Sequence, residues 1–146
     1  MSSLTESRYL EPTQSSGRAF FQRSLEGEVV MLNLLRFRSV ADYSAHPELA
    51  PAGACTGAEA FDRYVKYALP YVRESGGDLL FMGKGGPFLI GPEQESWDLV
   101  MMVRHRSAET FLSFASNEAY LAGIGHRLAA IEDSRLLPLM QLPLTD

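Results

Sequence analysis

The run VVMLNLLRF, Val29–Phe37, decides the architecture. It is rich in branched and large apolar residues and bounded by charge, which is the pattern of a strand covered on both faces. Alternation places Val29, Met31, Asn33, Leu35 and Phe37 on one side and Val30, Leu32, Leu34 and Arg36 on the other. Neither side is polar enough to face water along its length. A second run of the same kind, WDLVMMV from Trp97 to Val103, sets Trp97, Leu99, Met101 and Val103 against Val100 and Met102. These two segments are expected to be the central strands of one sheet.

Between them the periodicity changes. From about Ala58 to Glu74, Phe61, Tyr64, Val65, Ala68 and Val72 share a helical face. Pro70 is expected to kink that helix or weaken its last turn, and Gly76-Gly77 ends it. Asp78–Gly83 and Pro87–Ile90 read as two short extended pieces around a turn, or as one bent edge strand. Ser107 with Glu109 opens a helix containing Phe111, Leu112 and Phe114. After a break at Ser116-Asn117, a second helical piece runs from Glu118 to about Asp133, with Leu121, Ile124, Leu128 and Ile131 as its stripe. RLLPLMQLPL, Arg135–Leu144, is the last strand, and Pro138 assigns it to an edge.

Residues 1–27 read as an N-terminal arm with a short helix over Gly17–Leu25, N-capped by Ser15 or Ser16. Residues 28–146 form a single domain with a long loop at 38–57, longer than most connections. The order strand, helix, strand, strand, helix, strand defines an α+β class: a ferredoxin-like βαββαβ fold with a four-stranded antiparallel sheet and two backing helices. Helices cover one face of such a sheet. The set Trp97, Leu99, Met101 and Val103 is assigned to the other face, and exposing it would leave an unusually large apolar patch. A homodimer paired through that face removes the patch, the alternative cover being the N-terminal helix and the long loop.

Composition narrows the partners. The formal charge of −5 in 146 residues comes from interspersed acids and bases with no basic stripe, so nucleic acid is not expected. The one cysteine, Cys55, cannot form an internal disulfide, and no His/Cys cluster suggests a metal site. No secretory leader and no apolar run long enough for a membrane is visible, so a cytoplasmic location is expected.

VVMLNLLRFR, AFDRYVKYALPYVRESGGDLLFMGKG, and the block from WDLVMMV through HRLAAIEDSRLLPL together resemble the DUF1330 family of the dimeric α/β-barrel superfamily, over about Glu28–Met140. The resemblance implies a protomer whose sheet pairs with a partner's sheet to enclose a barrel. It implies no single activity, because the superfamily includes cofactor-free monooxygenases, isomerases, dehydratases and haem enzymes. Arg104-His105-Arg106 departs from the aromatic or proline commoner at that corner.

Candidate site residues follow from polar groups in apolar settings. Asn33 places an amide in mid-strand, where it must find partners. Tyr64 lies on the inward helix face, within reach of a pocket or simply packed in the core. His126 titrates near neutrality but lies opposite its helix's apolar stripe, and so should face solvent unless Gly123 and Gly125 distort the turn. Asn33, Tyr64 and His126 are the catalytic candidates. Arg36, Trp97, Tyr120 and Arg127 are the substrate-binding candidates, as anion partner, aromatic wall and flanks of the stripe. Asp133 and Arg135 read as an ion pair at the last helix-to-strand junction, bracing the turn or, as the alternative, lining a pocket mouth. No cofactor is called for. The functional expectation is a small-molecule-binding protein, as a cofactor-independent isomerase- or monooxygenase-like enzyme acting on a small apolar metabolite. The alternatives are a carrier module that does not transform its ligand and a haem-dependent enzyme.

Overall fold

The computed structural model describes residues 8–144. Val29–Phe37 forms β1, hydrogen-bonded along both edges: antiparallel to β3 (Ser96–His105) on one side and to β4 (Ile131–Met140) on the other. β2 (Asp78–Pro87) adds outside β3, giving the order β2-β3-β1-β4. This is the antiparallel ferredoxin-like topology. The two doubly apolar runs are its central strands, and Pro138, which has no N–H to donate, lies on edge strand β4. β2 is one continuous strand whose register slips between Leu79 and Phe81, so the extended pieces expected on either side of a turn merge, and Phe88–Ile90 fall outside it.

One face of the sheet carries the helices. α2 (Gly57–Glu74) begins at a capping box in which Thr56 and Glu59 satisfy each other's backbone N–H groups. It buries Ala60, Phe61, Ala68 and Val72, and the Phe61 ring lies 5.3 Å from that of Phe37. The helix continues through Pro70 to Glu74. Pro70 and Lys66, whose carbonyl loses its donor there, are both on the exposed side, where that carbonyl is within reach of solvent.

The second helical region is more broken than its apolar stripe suggests: α3 (Ala108–Ala115), α4 (Glu118–Leu121) and α5 (Gly125–Ala130). A side chain at Gly123 would start 2.3 Å from the Tyr67 ring, so the chain meets α2 at a spot with room only for glycine, and the helix divides there. Leu121 is consequently exposed. Ile131 opens β4, so the last strand starts four residues before the expected Arg135, and Asp133 lies within it instead of at a junction. α1 (Gln14–Gln22) likewise starts early, because Thr13, not Ser15 or Ser16, is the cap and Ser16 completes its capping box. Its Phe20 packs 6.0 Å from Phe111 of α3.

The long loop is tied down at both ends. Arg38 N–H donates to Ala130 O at 2.8 Å, Asp42 N–H to Ala129 O at 2.9 Å, and Ala41 N–H to Cys55 O at 2.9 Å, with a 3-10 turn at Pro47–Leu49 between them. Gly57 N–H donates to Arg38 O at 3.0 Å, and a Cβ on Gly57 would lie 2.3 Å from that oxygen and 2.6 Å from Ala130 O. The close approach of β1, α2 and α5 at this point requires glycine.

The assignment of sheet faces is corrected. Met101 is buried, and Leu99 and Val103 pack against the helix-side core. By register, Leu32 and Leu34 of β1 pair with Met102 and Val100, and the face without helices is formed by these residues together with Val30, Phe81, Leu137 and Leu139. Among the described residues no helix lies over its centre.

His105, at the end of β3, is 2% exposed, packed 5.0 Å from the Phe111 ring and 5.6 Å from Phe114, and its Nδ1 has no partner among the described residues. Burial pushes its pKa down from 6.5 to about 4. The neutral ring is folded into the core while the unfolded chain takes up a proton from pH 6.5 downward. Stability is therefore fully present above pH 6.5 and is lost progressively towards pH 4. Urea denaturation should show an acid-side loss of roughly 3 kcal/mol over this window, missing in His105→Leu. Gly57→Ala should cost roughly 3 kcal/mol at every pH, because both atoms it meets are backbone.

Candidate functional site

Three of the residues singled out in sequence meet between the helices and the sheet. Tyr64 of α2 and Tyr120 of α4 join hydroxyl to hydroxyl at 2.6 Å, their rings 6.2 Å apart and nearly perpendicular. Phe114 lies 4.3 Å from Tyr120 and Phe61 lies 5.3 Å from Tyr64, so the phenols form the polar centre of an aromatic wall. Burial raises both phenol pKa values, while the positive charge of nearby Arg127 pulls in the opposite direction. Both are neutral donors at physiological pH. In such a pair one hydroxyl donates to the other, and the proton of the second has no acceptor among the described residues. Arg127 Nη1 donates to the Leu10 carbonyl at 3.2 Å, so the N-terminal arm passes beside this group.

A second group lies where the start of β4 meets the end of β1. Asp133 is 3% exposed, and its Oδ1 accepts from Tyr9 N–H at 2.7 Å, Ser134 N–H at 2.9 Å and Arg135 Nη1 at 2.9 Å. Arg36 Nη1 approaches its other oxygen at 3.5 Å, while Arg36 Nε and Nη2 both donate to Ser96 O. The guanidiniums of Arg36 and Arg135 lie 4.6 and 4.9 Å from the centre of the Trp97 ring, and Tyr9 lies 4.7 Å from Arg135. Ser134 Oγ donates to the Tyr9 carbonyl, which completes the attachment of the arm.

The other candidates stand apart. Asn33 is on the helix-facing side, and its amide nitrogen donates to Met31 O of its own strand at 3.2 Å. It remains partly exposed between Met31 and Leu35, at 2% and 0%, so it is not the enclosed amide the sequence suggests. His126 does not face open solvent. The break at Gly123 turns it toward the loop, where Nδ1 shares a 2.7 Å hydrogen bond with the Tyr43 hydroxyl. Burial and then the charge of Arg63 lower its pKa. Two surface depressions, one on the outside of α2 around Arg63 and one beside Glu28 and Met140, are lined by neither Asn33 nor the phenol pair.

Sequence reasoning missed Tyr9 and Tyr43, because neither an arm nor a loop has a periodicity to show which way a side chain turns. It found Asp133 and Arg135, as a brace for a turn or the lining of a pocket mouth, with the brace preferred. The available signal was an acid and a base two apart, which on a strand share one face.

The fold and these sites define a ferredoxin-like α+β protein with polar groups gathered on both sides of one sheet. The chain is 32% identical to the RPA0582 protein of unknown function from Rhodopseudomonas palustris, with a TM-score of 0.80 over 94% of this chain and 100% of that one. The structure of methylated RPA0582 protein matches at 34% identity and a TM-score of 0.79, over 93% of this chain and 96% of that one. The chain belongs to the family of RPA0582. No protein-family model and no curated protein matches it.

Asp133 is the one carboxylate holding two arginines and the arm. Asp133→Ala should therefore destabilise the fold by roughly 3 kcal/mol in urea unfolding, as expected when one partner of a buried ionic network is removed. It should also release Tyr9, seen as rapid amide exchange at residues 9 and 10.

Proposed function

We propose that the protein is a homodimer paired through the helix-free sheet face, and that each protomer binds a small, largely apolar molecule carrying an acceptor oxygen beside Tyr64 and Tyr120. The observation that carries the binding reading is the unshared phenol proton. A buried O–H without an acceptor costs on the order of 1–3 kcal/mol, and a ligand carbonyl removes that cost while Arg127 stabilises the charge drawn onto its oxygen. Asn33 is half-buried between two buried neighbours of β1, Met31 and Leu35, on the helix-facing side. The site supplies a donor and a cation. No carboxylate or imidazole hydrogen-bonds to either phenol among the described residues, so reversible binding is favoured over proton transfer.

Pairing is supported by the character of the helix-free face. Leu32, Leu34, Val100 and Met102 form a continuous half-buried apolar surface on the two central strands, bordered by exposed Phe81 and Leu137. The DUF1330-like, barrel-forming reading and a cytoplasmic setting belong to the same proposal. No helix among the described residues is long and apolar enough to cross a membrane.

Light scattering should report a dimer at micromolar concentration and a monomer for Leu32→Glu, which sets a charge at the centre of the face. Apolar ketones should raise the melting temperature while alkanes of matched shape do not. The double variant Tyr64→Phe/Tyr120→Phe, which removes both hydroxyls and leaves the rings, should abolish the difference, whereas Tyr120→Phe alone leaves the Tyr64 hydroxyl to donate and should keep it. A wild-type protein that responds equally to both would end the binding reading.

A further inference from the structure

We infer that Arg36, Trp97 and Arg135 form a second binding site, for a monocarboxylate with an apolar body, separate from the phenol pair. Arg135 spends a single nitrogen on the protein: Nη1 donates to Asp133 Oδ1 at 2.9 Å and to Ser134 O at 2.8 Å. Its Nε and Nη2 have no protein partner among the described residues. That edge carries two parallel N–H groups, the geometry that grips both oxygens of a carboxylate. The side chain is 39% exposed, so the edge is within reach of a ligand.

The neighbouring acids are engaged elsewhere. Asp133 Oδ1 already accepts three donors, Glu95 accepts from Trp97 Nε1 at 3.0 Å, and Asp98 accepts from Phe37 N–H at 2.8 Å. Three carboxylates around two arginines disfavour a dianion such as phosphate, and leave a single negative charge as the better match. The apolar requirement comes from the register. Arg135 lies opposite Leu34 and Leu34 opposite Val100, while Leu137, on the same face of β4, is 52% exposed. A carboxylate held by Arg135 therefore projects its body over the hydrocarbon of the face that pairs the protomers, so this site rests on the two sheets of the proposed dimer enclosing a space at this end of the seam.

Trp97 is the only tryptophan of the chain and touches both guanidiniums, so its fluorescence reports on this site directly. Benzoate should change the emission saturably, whereas benzamide, its neutral counterpart, should not, and acetate should bind at least tenfold more weakly than benzoate. Arg135→Gln should abolish the response. Arg135→Lys, which keeps the charge but loses the two-pronged edge, should weaken it at least tenfold, and Tyr64→Phe should leave it unchanged. Failure of the ketone experiment at the phenol pair would not affect this outcome. The site is refuted if benzoate gives no saturable change, if benzamide matches it, or if Arg135→Gln with an intact cooperative melt still binds benzoate.

Discussion

The structure depends on β1 being paired on both edges and apolar on both faces. A strand in that position satisfies its backbone entirely within the sheet, and its side chains set what each layer must supply. Leu35 and Phe37 receive Phe61 of α2 on one side, while Leu32 and Leu34 form the floor of the other. The polar residues of β1 are interruptions in this surface, and both interruptions matter. Asn33 is a half-buried amide on the helix-facing side, and Arg36 reaches across to the Ser96 carbonyl and to Asp133.

The N-terminal arm connects the two candidate sites. Tyr9 offers its backbone N–H and carbonyl to Asp133 and Ser134 and its ring to Arg135, and Leu10 offers its carbonyl to Arg127. An extended segment without secondary structure is thus held by groups that also face the proposed ligands. Its hold is polar and local, in contrast to the apolar packing that fixes α2.

The groups near these sites differ in protonation for identifiable reasons. The phenols of Tyr64 and Tyr120 are kept neutral by burial although a cation stands nearby, so each keeps a proton to donate. His126 is also shifted toward its neutral form, and with Nδ1 tied to Tyr43 it serves the packing of the loop against α5.

By itself the sequence determined the sheet and its order. β1 and β3 are doubly apolar and therefore central, Pro138 excludes β4 from the interior, and the spacing of Phe61, Ala68 and Val72 gives α2 its inward face; all are local consequences of a period of two or 3.6 residues. Only the tertiary structure decided which alternating set of β3 meets the helices, because both sets are apolar and the pattern has no polar side to break the tie. It alone divided the helix at Gly123, where the obstacle is the Tyr67 ring, more than fifty residues away in the chain. It also assembled Tyr64 with Tyr120 and Arg36 with Arg135, because a hydrogen bond or a stacked guanidinium depends on distances that no periodicity along one segment can encode.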